Sequence, residues 1–187
     1  MKFTLPDGKA LDFDLAVELP EDGVGLDEAH VAIEQLRGKP IQNRSTGIVA
    51  RLSSSAKGKL VSNKAAGKSR ANGFTGRQHN ALAARIDVLY RQAELATSRP
   101  DRNGDVNIVS IKRFASALRF GKKRAVAWIT VKESRQHGHH IYSVEAIKLE
   151  ALDRIVEVVS GNTPHASSAP TRGIIATLVR FIKGVFA

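Results

Sequence analysis

The first apolar pattern in the chain has a period of two residues. Apolar and polar positions alternate in FTL and in LDFDLAVEL, on either side of a turn at Pro6–Gly8, which predicts an antiparallel β-hairpin. The next segment, DEAHVAIEQL at 27–36, has helical spacing and begins at Asp27, a residue type that caps helix N-termini. The beginning of the chain is therefore predicted to be a hairpin followed by a short helix.

The longest helical pattern begins at a capping box. The Thr75 hydroxyl can accept the amide of Gln78, while the Gln78 side chain reaches back to the amide of Thr75. The helix should end near Ser98, before Pro100. We expect one long helix with a single buried stripe, formed by Leu82, Ile86, Leu89 and Ala93.

Strand-like segments follow this helix. They read NIVSIKRFASALRF, AVAWITVKES and HIYSVEAIKLEAL, and the short turns GKK and RQHGH between them predict an antiparallel meander. Alternation puts Trp128, Lys132 and Ser134 on one face of the middle strand, and Ile129 and Val131 on the other. The predicted fold class is therefore α+β, with a long helix packed on an antiparallel β-meander.

The end of the chain has a different character. The text GNTPHASSAPTR at 161–172 has the composition of a linker. Residues 173–187 place their apolar side chains on one helical stripe, with Arg180 and Lys183 elsewhere, which predicts a cationic amphipathic helix. Such a helix can lie on a membrane, but docking on protein, including a second copy of the chain, is the more frequent use.

Charge completes the predicted domain organisation. The N-terminal portion is acidic, whereas SSSAKGKLVSNKAAGKSRANGFTGR at 53–77 contains no acidic residue and little apolar periodicity, as in a mobile basic loop or a frayed helix. The predicted segments are an acidic hairpin and helix, a basic loop, an α+β domain, a linker and an amphipathic helix, at 1–52, 53–72, 73–160, 161–172 and 173–187.

The composition favours a polyanionic partner. The 187 residues include 29 Lys+Arg against 18 Asp+Glu, a net charge of +11, which attracts nucleic acid. The absence of cysteine excludes thiol catalysis, disulfides and cysteine-ligated zinc. No signal-peptide pattern is visible, and no apolar run reaches the roughly 18 residues of a membrane span, so we expect a cytoplasmic protein.

The histidines were considered as metal ligands and as proton acceptors. His137, His139 and His140 surround a turn, with only Glu133 near them in sequence, so we expect no metal or other cofactor. His79 lies in the first turn of the long helix, where the macrodipole disfavours imidazolium, so it can serve as a general base. The alternative for His79 is a capping or packing role.

RNA can be cleaved without a metal by a histidine base, cationic phosphate ligands and hydroxyl donors. The predicted helix and sheet supply these groups in His79, Arg113, Thr130, Lys132, Ser134, Arg135 and Tyr142. Arg and Lys on strands are also common solubilising residues, and Tyr142 could belong to the core.

The block from GFTGRQHNALAARIDVLYRQAEL through IKRF and ITVKES to HHIYSVEAI, about residues 73–150, resembles a known group. It is similar to the barnase–EndoU–colicin–RelE-like nuclease domains that occur in large polyvalent phage proteins and polymorphic toxins. The resemblance implies a helix packed on a curved antiparallel sheet, with a metal-independent ribonuclease centre on its concave face.

The resemblance also implies a set of site residues. The catalytic set is His79 as base or acid, Arg113 and Lys132 as phosphate ligands, and Ser134 and Tyr142 as positioning groups. The RNA-binding set follows from charge instead, as cations of the basic segment 53–77 and of the hairpin: Lys57, Lys59, Lys64, Lys68, Arg70, Arg77 and Arg135. The expected product is a 2′,3′-cyclic phosphate, and a neutralising immunity or antitoxin protein is an expected partner. Because few aromatic residues are present for base stacking, recognition by shape and charge is expected, as for a structured RNA such as tRNA.

Other functions fit the same sequence. A binding module with this fold and no catalysis explains the charge equally well. An interaction protein could use residues 173–187 to form a homo-oligomer or to dock on a phage or secretion assembly. ADP-ribosyl transfer has no glycine or acidic signature here.

Overall fold

A computed structural model describes residues 1–5, 7–101, 104–136 and 138–152. Met1–Ala151 forms one compact unit. The second unit, Leu152–Ala187, lies outside the described residues apart from its first residue, and so do the predicted linker and C-terminal amphipathic helix. No helix among the described residues is long and apolar enough to cross a membrane.

The compact unit contains both helices and strands. The α-helices are α1 Leu26–Leu36, α2 Ala56–Leu60, α3 Asn63–Ala71, α4 Gly76–Ala84 and α5 Ile86–Gln92, and a 3-10 turn spans Phe13–Leu15. The strands are β1 Lys2–Thr4, β2 Ala10–Asp12, β3 Val17–Leu19, β4 Ile41–Gln42, β5 Val49–Leu52, β6 Glu94–Arg99, β7 Ile108–Phe120, β8 Lys123–Gln136 and β9 His139–Ala151.

The main sheet is mixed and curled. Its order is β3-β7-β8-β9-β5-β4, with β6 also paired to β7. The three long strands β7, β8 and β9 pair antiparallel in chain order, whereas β3 runs parallel to β7 and β5 runs parallel to β9. The predicted meander is therefore the centre of a larger sheet, because short strands from the first 52 residues extend it at both edges.

The helices cover one face of this sheet. Ile129 and Val131 of β8 are fully buried in the same apolar cluster as Leu82 of α4 and Leu89 of α5. The stripe predicted for the long helix is confirmed as buried, since Leu82, Ile86, Leu89 and Ala93 all have 0% exposure. Burial of this stripe contributes to the driving force that holds the helices on the sheet.

The prediction of one long helix is wrong. The capping box at Thr75 is present, but α4 ends at Ala84, because the φ of −113° and ψ of 22° at Arg85 are not helical, and α5 begins at Ile86. After Gln92 the chain becomes strand β6, which pairs antiparallel with β7. Tertiary pairing has overridden the helical pattern of the AELATSR segment.

The basic segment expected to be a loop or a frayed helix is helical. Leu60 of α2 and Ala66 of α3 are buried, and the Ser62 hydroxyl caps α3 by accepting the amide of Ala65 at 3.1 Å. These are few anchoring residues among many cations, which is why a periodicity search misses them.

The N-terminal portion also differs in detail. The predicted hairpin forms between β1 and β2, but LDFDLAVEL is not one strand, because the 3-10 turn interrupts it and β3 joins the main sheet. Helix α1 is confirmed, although its N-cap is Gly25 without a side-chain hydrogen bond, and Asp27 lies in the first turn.

Candidate active site

The strand register determines which predicted site residues share a face. Directly paired residues of neighbouring strands lie on the same face of a sheet. Arg113 pairs with Thr130 of β8, two residues from Lys132, so Arg113 and Lys132 share the face opposite the helices. Tyr142 pairs with Glu133, on the helix-covered side together with Val131. The expected single row of catalytic groups is therefore split between two faces.

His79 lies inside the helical layer. Its exposure is 0%, its Nδ1 atom lies 2.8 Å from Ser69 Oγ, and its Nε2 atom lies 2.7 Å from the carbonyl oxygen of Leu60. Because a carbonyl only accepts, Nε2–H is the donor, and the Ser69 hydroxyl donates to Nδ1. Burial lowers the pKa of His79, which favours the neutral imidazole, so burial acts in the direction that the sequence assigned to the helix macrodipole.

The consequence for catalysis is direct. A fully buried imidazole with both nitrogens bonded does not reach a substrate proton. The helical layer around His79 covers the opposite face of the sheet from Arg113 and Lys132. The structure therefore does not bring His79 together with the strand cations, and the packing role is the one its contacts describe.

Arg113 is half-buried beside aromatic and charged side chains. Its guanidinium lies 6.0 Å from the ring centre of Trp128, whose Nε1–H donates to Glu150 Oε2 at 2.7 Å. Burial, together with the charge of Arg99, lowers the pKa of Arg113 to about 10, although Glu150 acts in the opposite direction. The guanidinium of Arg113 therefore packs among aromatic and charged side chains of the sheet.

Helix-side residues at one end of the sheet form a polar cluster, which we call the Glu133 cluster. Its members are Ser110, Lys112, Glu133, His140 and Tyr142. Glu133 Oε2 accepts Ser110 Oγ at 2.5 Å and lies 2.9 Å from Lys112 Nζ. Glu133 Oε1 accepts His140 Nδ1 at 2.6 Å and the Tyr142 hydroxyl at 3.1 Å. The two oxygens of Glu133 on β8 thus bind four donors from the two flanking strands, β7 and β9.

The donors keep Glu133 ionised. Burial alone would raise the pKa of this carboxyl, but hydrogen bonds from Ser110, Lys112, His140 and Tyr142 outweigh it and lower the pKa to about 2. Burial and the adjacent carboxylate together raise the pKa of Tyr142, so its hydroxyl remains protonated and can donate. The cluster is a fixed negative centre surrounded by oriented donors.

His140 is the exposed member of this cluster. Its side chain retains 42% exposure, compared with 9% for Glu133 and 14% for Lys112. Because the carboxylate accepts from Nδ1–H, a neutral His140 carries its lone pair on Nε2. Arg135 pairs directly with His140 across the hairpin and is exposed on the same face. A histidine oriented by a carboxylate, next to an arginine, can accept a proton from a phosphate-bound substrate.

Sequence reasoning assigned Tyr142 and Arg135 but missed Ser110, Lys112, Glu133 and His140. His140 was expected to be part of a hairpin tip with no catalytic role. The spacing ES-x-x-x-x-HHIY does contain a signal, because a hairpin closing near Gly138 pairs Glu133 with Tyr142 and Arg135 with His140. Placing Ser110 and Lys112 requires the pairing of β7 with β8, which a local pattern does not give.

The predicted RNA-binding cations have varied surroundings. Lys59 Nζ lies 2.5 Å from Glu145 Oε2, and Arg77 Nε donates to the carbonyl of Asp22 at 3.1 Å. The other members on α2 and α3 are exposed, except for the partly buried Lys57; the exposed ones are Lys64, Lys68 and Arg70. Within the described ranges, no group of three or more His, Asp or Glu side chains is arranged to hold a metal ion.

Comparison with known proteins gives one family. The model of a family described as large polyvalent protein-associated domain 3 matches residues 27–142. That span contains every member of the Glu133 cluster and Arg135. No curated protein and no solved structure matches the chain.

Proposed function

The chain belongs to the large polyvalent protein-associated domain 3 family, a module associated with large polyvalent phage proteins, and on that premise we propose that it cleaves RNA without a metal ion. The observation that carries the proposal is the exposed imidazole of His140, held at 2.6 Å by the buried carboxylate of Glu133. The net charge of +11 supports a polyanionic substrate.

The proposed reaction is an internal transesterification. His140 Nε2 accepts the proton of the ribose 2′-OH, the 2′ oxygen forms a bond to phosphorus, and the bond from phosphorus to the 5′ oxygen breaks. The leaving oxygen takes a proton from solvent, and the products are a 2′,3′-cyclic phosphate and a 5′-hydroxyl end. This step needs only a base and groups that stabilise the phosphorane.

Each neighbour has a part in this proposal. Glu133 orients His140 and stabilises the imidazolium that forms, as the carboxylate of a catalytic triad does. Arg135 binds the phosphate from the adjacent strand position, as a guanidinium suits a bidentate contact. Lys112, 2.9 Å from Glu133, adds positive charge beside the reacting phosphate.

The test uses two adjacent histidines. Purified wild-type protein, His140→Ala and His139→Ala would be incubated with total RNA in EDTA. His139 pairs with Gln136 and points to the opposite face, so it controls for loss of a histidine at the same hairpin. We expect cleavage by the wild type and by His139→Ala, and a rate lower by about 10²- to 10⁴-fold in His140→Ala.

The product ends give an independent check. Cyclic phosphate ends are expected at every cut, and Glu133→Gln should lower the rate with little change in KM because it removes orientation of the base. A requirement for a divalent metal, or equal rates for both histidine variants, would contradict the proposal.

A second candidate is nucleic-acid binding without cleavage. The exposed cations of α3 and the absence of acidic residues from 53–77 favour it specifically. Intact RNA in the cleavage assay, together with salt-sensitive binding, would assign this function.

The proposal extends to partners and place. The substrate is a structured RNA such as tRNA, and the site of action is the cytoplasm, including that of a target cell. A toxin of this kind needs a neutralising immunity or antitoxin protein. Assembly through residues 173–187, which lie outside the described part of the chain, is tested by truncation and measurement of oligomer size.

A further inference from the structure

A cleft lies at the β5–β9 junction. Its volume is about 400 Å³, and its lining includes Arg51, Lys59, Lys132, Ser134, Ser143 and Glu145. Lys132 and Ser143 are directly paired across β8 and β9, and Arg51 pairs with Ser143 from β5, so these side chains share one face. This is the face opposite the Glu133 cluster.

A bulge directs the acidic member of this cleft. Thr130 pairs with Ala146 and Val131 pairs with Val144, which leaves Glu145 as the extra residue of β9. Its Oε2 atom lies 2.5 Å from Lys59 Nζ, and its Oε1 atom lies 3.8 Å from Lys132 Nζ. One carboxylate therefore stands between two ammonium groups contributed by α2 and β8.

The charges of the cleft do not balance. Arg51, Lys59 and Lys132 contribute three positive charges, and among the described residues Glu145 is the one acidic residue of the lining. Serine residues from three segments also line the cleft. Phosphate oxygens commonly accept hydrogen bonds from hydroxyl groups that lie beside cations. A carboxylate placed between two lysines occupies the position that a phosphate oxygen would take.

We propose that this cleft binds a phosphodiester of an RNA strand and that Glu145 is an internal competitor for its lysines. The phosphate displaces the Glu145 carboxylate from Lys59 and Lys132 and accepts hydrogen bonds from the serine hydroxyls. The identity of the ligand as RNA rests on the proposed function, but binding at the cleft does not require cleavage.

The cleft also relates to the Glu133 cluster by position. Tyr142 lines the cleft and donates its hydroxyl to Glu133 at 3.1 Å, so the two sites meet at this residue. Strand β5 covers β9 only at Tyr142, Ser143 and Val144. An RNA strand held in the cleft can pass the outer edge of β9 near Ile141 and reach His140 on the other face.

Binding in a cleavage-deficient background tests the proposal. A single-stranded RNA oligonucleotide would be titrated against His140→Ala protein by fluorescence anisotropy at several salt concentrations. Adding Lys132→Gln should weaken binding about fivefold at 0.1 M salt and lower the log–log salt slope by about 0.7, the value for one single-strand phosphate contact. Adding Glu145→Gln should tighten binding by a similar factor, because it frees both lysines.

Lys122→Ala is the control. Lys122 is exposed in the turn that precedes β8, at the opposite end of a 14-residue strand from the cleft. If Glu145→Gln binds RNA equally or more weakly, or if Lys132→Gln has no larger effect than Lys122→Ala, the cleft proposal is overturned. Binding that depends on the cleft, together with wild-type protein that leaves RNA intact in the cleavage assay, would instead support the cleft and contradict the proposed function.

Discussion

The Ser69 hydroxyl joins His79 to the edge of the sheet. It lies 2.8 Å from His79 Nδ1 and accepts the backbone amide of Leu149 at 3.3 Å. The Asn72 side chain donates to the carbonyl of the same Leu149 at 2.7 Å. Helix α3 therefore satisfies the open backbone groups of β9 where β5 no longer covers them, and His79 holds that helix in place.

This relationship predicts that His79 determines stability. Replacing it with alanine removes two buried hydrogen bonds and leaves a cavity, which should lower the free energy of unfolding by about 2–4 kcal/mol. Urea unfolding would measure the loss. His30→Ala, which removes a partly buried histidine from α1, is the matched control and should change stability much less.

The stabilising effect of His79 should also depend on pH, in a direction that its pKa determines. Burial lowers the pKa of His79 below its ordinary value of 6.5, so the unfolded chain binds more protons than the folded one as pH falls below 6.5. The contribution of His79 to the free energy of unfolding is therefore present above pH 6.5. It is lost as the pH falls toward the pKa that His79 has in the folded protein. A plot of the free energy of unfolding against pH should therefore lose this dependence in His79→Ala and in the milder His79→Gln. If His79→Gln folds but loses RNA cleavage, a catalytic role for His79 would be restored.

Glu133 should contribute to acid stability in a different window. Its pKa of about 2 in the folded state lies below the ordinary value of 4.5, so its contribution is present above 4.5 and disappears as pH falls toward 2. We expect Glu133→Gln to lower the free energy of unfolding at neutral pH by about 2 kcal/mol, because Lys112 loses its charged partner at 14% exposure.

Acid titration followed by circular dichroism would measure this window. The difference in stability between the wild type and Glu133→Gln should shrink as pH falls from 4.5 toward 2. Glu34→Gln is a suitable control, since Glu34 forms an exposed pair with Arg37 at 3.3 Å at the C-terminal end of α1. If the difference in stability between the two proteins stays constant across the titration, the charge of Glu133 does not contribute, and Glu133 stabilises the fold through packing alone.

Local signals predicted much of this fold. The capping box at Thr75, the buried stripe from Leu82 to Ala93 and the three long strands are encoded by neighbouring residues, and all are present. The break between α4 and α5 at Arg85 has no signal in the local pattern, and strand β6 depends on pairing with β7, which no local pattern contains. Strands β4 and β5 are short and depend on pairing with distant residues, since β5 pairs with β9 and β4 pairs with β5.

The candidate site was less predictable for the same reason. Alternation correctly placed Lys132 and Ser134 on one face of β8, but it did not say which residues of β7 and β9 lie opposite them. The hairpin turn near Gly138 sets Tyr142 opposite Glu133 and not beside Lys132, and the bulge at Glu145 shifts the register of β9 by one residue beyond Val144. The pairing register of the strands, more than the residue types, determines which candidate side chains lie on each face of the sheet.

Gly23 should tolerate no side chain, because it closes a turn against the start of α4. Its φ is +69°, and a Cβ there would lie 2.1 Å from the carbonyl carbon of Arg77. The turn is fixed to α4 by the amide of Val24, which donates to the Arg77 carbonyl at 3.0 Å, and by Gln78 Nε2, which donates to the carbonyl of Glu21 at 2.9 Å. Displacement of the turn would therefore disturb the capping box as well.

The matched control is Gly38→Ala. Gly38 has nearly the same φ, +70°, but nothing lies within 4 Å of its Cβ position, so its substitution measures backbone strain alone, about 1 kcal/mol. We expect Gly23→Ala to lower the free energy of unfolding by at least about 3 kcal/mol, since contact with backbone atoms adds to the same strain. Equal losses for the two variants in urea unfolding would mean that the turn moves away from α4 at little cost, and that the acidic N-terminal portion is only loosely attached there.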